Sequence, residues 1–110
     1  MARRSAVIAS YCYLSCYEAG SVLARHKDRP QCAYNLSLVL DMTGPVGEPE
    51  PWPIYVEIDG HPEPILLRVG DAVAYSGTEL WHWREALPWG QRAIVCFFHF
   101  VPEDFSGSLD

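Results

Sequence analysis

Short β-rich runs, broken by turn residues at intervals of roughly 8 to 12 and without a helical period of useful length, set the fold class of this chain. The runs fall near residues 7–17, 21–26, 33–41, 52–58, 64–68, 71–76, 80–85 and 91–101, which makes eight strands. The breaks carry turn chemistry: Gly20, Arg29-Pro30, the long 43–53 stretch, "DGHPEP" at 59–64, Gly70-Asp71, Ser76-Gly77 and "PWG" at 88–90. Eight short antiparallel strands in 110 residues suit a jelly roll, in which two sheets face each other around a cavity. The expectation is an all-β, cupin-like jelly-roll domain over residues 1–110 with minimal flanking helices. The 43–53 loop, with four prolines, is the natural lid-like connection.

Composition narrows the function classes. The apolar fraction is 49%, and no run approaches the roughly 18 apolar residues of a membrane span, so a soluble, cytoplasmic protein is expected. Arg3-Arg4 ahead of an apolar stretch has the look of a signal peptide, but no small-x-small cleavage site follows, and Tyr11, Tyr13 and Tyr17 fit a strand better. The net charge of −6 argues against a nucleic-acid partner, which requires clustered Lys and Arg. The basic residues cluster only at Arg3-Arg4 and at Arg25, Lys27 and Arg29. Cys12, Cys16, Cys32 and Cys96 show no C-x-x-C spacing and read as reduced, partly buried thiols of a cytosolic protein; a zinc site on Cys12 and Cys16 is disfavoured because, four apart on a strand, they would stand about 13 Å from each other.

The stretch "SVLARHKDRPQCAYNLSLVL" at 21–40 holds two metal-binding residue types, His26 and Asp28, one residue apart. On extended chain they point to the same side and can reach one ion, although the pair also suits a solvated turn opening into Arg29-Pro30. His82, between Trp81 and Trp83, supplies a third ligand or else packs as a half-buried strand histidine. Two imidazoles and a carboxylate make the facial triad that holds one side of an octahedral Fe(II) and leaves the other positions open. His61, in a turn, and His99, at the end of an aromatic strand, are weaker candidates, and Asp71 fits a structural turn role. On the last strand Arg92 lies in line with Ile94, Cys96, Phe98 and Phe100, so a guanidinium near the core should have an anionic partner. The alternative is that Arg92 escapes to solvent or pairs with Glu85 at the surface.

These residues resemble the iron(II)- and 2-oxoglutarate-dependent oxygenases of the double-stranded β-helix fold. The family pattern is a His-x-Asp after the second core strand, a distal His on the seventh, and about ten residues later a basic residue on the eighth that binds the far carboxylate of the co-substrate. Here those positions read His26, Asp28, His82 and Arg92. "YEAGSVLARHKD" looks like the Tyr-x-x-Gly-x-x-Leu-x-x-His-x-Asp run of prolyl-hydroxylase-like and AlkB-like members, which puts a co-substrate hydrogen bond on Tyr17. "VGDAVAYSGTELWHWRE" resembles the segment leading to the distal histidine in small bacterial and phage oxygenases. The family's buttressing N-terminal helices have no counterpart here, which implies a minimal member, a fragment, or support from a homodimer.

The resemblance implies Fe(II) on His26, Asp28 and His82, 2-oxoglutarate held by Arg92 and Tyr17, O2 as oxidant, and hydroxylation of a C–H bond with release of succinate and CO2. The substrate would be a peptidyl side chain or a small molecule. Tyr13, Trp83 and Arg84 are candidate substrate contacts, with Tyr11, Trp52 and Trp81 as further aromatics near the mouth. Two other classes fit the same residues: a cupin-like metal enzyme without 2-oxoglutarate, which would leave Arg92 without an anion, and a non-catalytic jelly-roll binding module.

Overall fold

A computed structural model describes residues 6–109 except 46 and 48. Arg3-Arg4 and two positions of the 43–53 loop lie outside the described residues. The strands are β1 (Val7–Tyr17), β2 (Leu23–His26), β3 (Tyr34–Thr43), β4 (Ile54–Ile58), β5 (His61–Ile65), β6 (Ala72–Tyr75), β7 (His82–Arg84) and β8 (Arg92–Pro102), with one 3-10 turn at Pro30–Cys32. They form two four-stranded antiparallel sheets, ordered β1-β8-β3-β6 and β2-β7-β4-β5. Strands consecutive in sequence mostly alternate between the sheets, which is the winding of a jelly roll, or double-stranded β-helix. No helix among the described residues is long and apolar enough to cross a membrane.

All eight expected runs are strands. The fifth sits earlier than 64–68 because Asp59 and Gly60, both at positive φ (52° and 77°), close a two-residue hairpin that pairs Ile58 with His61. Pro62 and Pro64 therefore lie inside β5, where their missing N–H groups are tolerated because β5 is the edge strand of its sheet.

Period-two alternation gives β8 a buried face of Ala93, Val95, Phe97, His99 and Val101, all 5% exposed or less. Arg92, Ile94, Cys96, Phe98 and Phe100 lie on the opposite, outer face. On β3 the buried positions are Asn35, Ser37 and Val39, while Leu36, Leu38 and Leu40 face out. The larger sheet thus carries apolar side chains on both faces. A bulge between Ala9 and Tyr11 turns Tyr11 toward the inward-facing His99, and a second between Val39 and Asp41 brings Met42 opposite Ala93.

One end of the space between the sheets is dry. Trp52, Leu87 and Ala93 are buried there, with Tyr17 and Met42 packed against them. Trp52 Nε1 donates to Glu85 O at 2.8 Å, and the Leu87 backbone is tied to the end of β1 by Gly20 N to Leu87 O (2.8 Å) and Leu87 N to Ser21 O (2.9 Å). Leu87→Ala should cost about 2 to 5 kcal/mol of folding stability as a cavity opens. Replacing Trp89, 85% exposed, with Ala should cost under about 0.5 kcal/mol. Urea unfolding midpoints of the two variants measure the difference.

Candidate metal centre

β7 supplies the buried end of the site. His82 and Arg84 point inward, 2% and 1% exposed, while Trp83 faces out and stacks on Tyr55 with 5.5 Å between centroids. β2 pairs with β7 so that His26 lies opposite His82. Beyond His26 the chain stays within reach because Asp28 N donates to Gly77 O at 2.8 Å, and Gly77 N in turn donates to Ala33 O at 3.1 Å. Gly77 is buried, and a Cβ there would collide with the side chains of Asn35 and Asp28 and with Cys32 O. Only glycine lets the backbone approach the carboxylate this closely.

The result is one ligand atom each from His26, Asp28 and His82, all within 4.8 Å of one another. Asp28 Oδ1 lies 3.1 Å from His26 Nε2 and 3.3 Å from His82 Nε2, and the two imidazole centroids are 4.3 Å apart. The tautomers follow from the partners. His26 Nδ1 faces Ala24 O at 2.6 Å and His82 Nδ1 faces Leu80 O at 2.9 Å; a carbonyl only accepts, so both Nδ1 atoms carry hydrogen. A neutral ring then presents the Nε2 lone pair to an ion, with its orientation fixed from behind. Two imidazole nitrogens and a carboxylate oxygen at this spacing fit one divalent metal with open positions.

The carboxylate is oriented as well. Asn35 Nδ2 donates to Asp28 Oδ2, and Asn35 Oδ1 accepts from His99 Nδ1 at 2.6 Å. His99 Nε2 is buried without a partner, and burial holds the His99 pKa below its ordinary value. Burial alone would raise the Asp28 pKa, but hydrogen bonds from His82 and Asn35 and the nearby imidazole charges lower it below the usual carboxylate range.

The triad opens on a small cavity of about 40 Å³ that is also lined by Tyr13, Tyr17, Leu23, Asn35, Tyr75, Phe97 and His99. Exposure falls from 36% at the His26 side chain to 2% at His82, so access is from the His26 side. Near that side Arg25 and Lys27 lie over Trp81, with Arg25 also paired to Glu57 at 2.6 Å. Burial, with the neighbouring tyrosines, pushes the Tyr13 pKa up to about 12 and also raises that of Tyr75, so both enter the site as neutral phenols.

The expected residues divide clearly. His26, Asp28 and His82 come together, and Tyr17 and Tyr13 line their cavity. Arg92 does not join them. It stands on the outer face of β8, its side chain 66% exposed, and pairs at 3.0 Å with Glu18. The physical reason is the second apolar face of the larger sheet: four apolar neighbours marked the outer face of β8 and not the core. Trp83 also faces away from the cavity, and Trp52 belongs to the core. Arg84, expected at the mouth, is instead fully interior. His61 is exposed on the edge strand β5, and Asp71 accepts from Arg68 N at 3.0 Å in the turn before β6. Asn35, Gly77 and Tyr75 escaped the sequence reading; a polar Asn at an inward position of an otherwise apolar strand was the available signal.

Asn35→Ala should reduce Mn(II) affinity about 10- to 100-fold by freeing the carboxylate to rotate. Asp28→Ala should abolish stoichiometric binding. Anaerobic titration calorimetry measures both, and unchanged affinity in Asn35→Ala would count against the orienting role.

No family model matches the chain, and no curated protein matches it. Solved structures do share its fold. A 2OG-Fe(II) oxygenase family oxidoreductase from Burkholderia pseudomallei superimposes with a TM-score of 0.73 at 13% identity, over 90% of this chain and 47% of that one. A Pseudomonas putida prolyl-4-hydroxylase gives 0.60 at 20% identity, over 86% and 54% of the two chains. A cupin domain from Bordetella pertussis gives 0.54 at 8% identity, over 91% and 98%. The chain thus spans about half the length of the two oxygenases and nearly all of the cupin domain. What it shares with all three is the jelly-roll fold; in this chain a His-Asp-His cluster is set between the sheets.

Proposed function

We propose that this chain is the core of a non-haem Fe(II)- and 2-oxoglutarate-dependent oxygenase. The observation that carries the reading is the convergence of His26, Asp28 and His82, each imidazole held by a backbone carbonyl and the carboxylate held by Asn35. An ion bound there would keep positions open toward the cavity, as the oxygenase chemistry requires. The shared fold with a 2OG-Fe(II) oxygenase and a prolyl-4-hydroxylase supports the same reading, as does Tyr17 on the cavity wall.

Iron and 2-oxoglutarate would together supply the oxidising power that takes hydrogen from a C–H bond, with succinate and CO2 as co-products. The protein's share is positional. His26, Asp28 and His82 hold the ion, and Tyr17 offers a hydroxyl to the co-substrate. Tyr13, Tyr75 and Phe97 wall the cavity with aromatic surface that limits water. A peptidyl side chain or a small molecule would enter from the His26 side. The prolyl-4-hydroxylase likeness favours trying peptides first.

One observation favours a second reading. With Arg92 on the outer face, the basic residue that would hold 2-oxoglutarate on the eighth strand is missing from the cavity, as in a cupin-like metal enzyme that does not use the keto acid. The assay that separates the two is succinate release from 2-oxoglutarate with Fe(II) and ascorbate, across a panel of peptides and small metabolites. The oxygenase reading predicts succinate formation that disappears in Asp28→Ala. Stoichiometric Fe(II) binding with no succinate under any condition would contradict it in favour of the cupin-like enzyme.

A further inference from the structure

The outer face of the larger sheet is apolar across all four strands. Residues paired on antiparallel strands point to the same side, so the register lays the face out. Leu14, Cys96 and Leu38 form one row over β1, β8 and β3, and Cys12, Phe98 and Leu36 form the next. Ala72 and Ala74 continue the two rows onto β6. Tyr34 and Phe100 extend the face toward one end and Ile94 toward the other. The face is open: Leu14 is 61% exposed and Tyr34 46%, Cys12 is exposed, and the β8 side chains along its middle are half-buried. Charge begins at the margin, where Asp41 lies opposite Ile94 and Arg92 pairs with Glu18 at 3.0 Å.

By strand spacing and rise, this surface measures roughly 500 to 600 Å². A continuous apolar patch of that size marks an interaction site. Two such faces brought together bury about 1,000 to 1,200 Å², which reaches the size of a specific protein interface. Each chain carries a net charge of −6, so two copies repel over most of their surface and approach at least cost where neither presents a charge. The face also complements itself. A two-fold axis near Cys96 and Phe98 sets the apolar rows of one copy on those of the other, about 10 Å apart as packed sheets lie, and leaves Asp41, Arg92 and Glu18 as a polar rim. β1 is the edge strand of this sheet and could pair with a second β1 through its backbone, but that arrangement leaves both apolar faces in water.

We infer that this chain associates with a second copy of itself, face to face, through the outer surface of the β1-β8-β3-β6 sheet. The inference stands apart from the metal-centre reading, since none of its residues lines the metal cavity.

Sedimentation of the full chain with its thiols kept reduced tests it. The wild type should run at twice the chain mass at concentrations of about 10 μM and above. The double substitution Leu14→Glu with Leu38→Glu should run as a monomer, because it sets like charges against each other across the axis. Ile58→Glu, on the smaller sheet, should leave the dimer intact. The native cysteines give a readout that needs no variant. Cys96 lies in the middle of the face, and in the wild type it should alkylate at least about tenfold more slowly in concentrated than in dilute protein, because only the dissociated face reacts. A wild type at the chain mass up to about 100 μM would overturn the inference. So would a dimer that survives both glutamates, open-ended association beyond two copies, or a dimer in which Cys96 alkylates as fast as in dilute protein, the sign of edge pairing through β1.

Discussion

His26 and His82 face each other because β2 and β7 pair antiparallel with a register shift between Leu23 and His26, and a further single-residue slip would send one imidazole to the outside of the sheet. β7 has only three residues, so its own ladder fixes little. The register is held by what surrounds it: Trp83 stacked on Tyr55 of β4, the two backbone bonds between Leu87 and the Gly20-Ser21 turn, and the Gly77 contact that folds Asp28 back toward the pair. Each bond lies outside the triad, yet together they decide whether three ligand atoms share one small volume.

The interior is divided between two kinds of chemistry. At one end Trp52, Leu87 and Ala93 make an ordinary apolar core. At the other, Asp28, Asn35 and His99 form a chain in which each polar group orients the next, starting from the far sheet and ending on the carboxylate. Arg84 sits between these regions, held by the Trp52 backbone and ring on its dry side. A core built for stability alone would fill these positions with apolar residues, because buried charges seldom repay their desolvation. Their presence between the sheets is what the proposed metal site would require.

Much of this was legible in the chain. Eight strands, their turns and the jelly-roll class follow from alternation and punctuation, and the His-x-Asp with a distant His was readable because strand geometry puts residues two apart on one side. Inside and outside were harder to tell. On β8, Ile94, Cys96, Phe98 and Phe100 are as apolar as Val95, Phe97 and Val101, so period two separates the faces without naming the inner one. That symmetry placed Arg92 in the core and left Arg84, framed by Trp83 and Glu85, as a rim residue. Asn35 and Gly77 act through contacts with residues far along the chain, which local pattern does not encode.

The central claim, that His26, Asp28 and His82 hold one metal ion through a defined set of atoms, is tested most directly by anomalous diffraction from crystals grown with Mn(II) without oxygen. The account predicts a single strong peak bounded by His26 Nε2, His82 Nε2 and an Asp28 carboxylate oxygen, with both Nδ1 atoms still on the Ala24 and Leu80 carbonyls. A peak elsewhere, or coordination through either Nδ1, would contradict it.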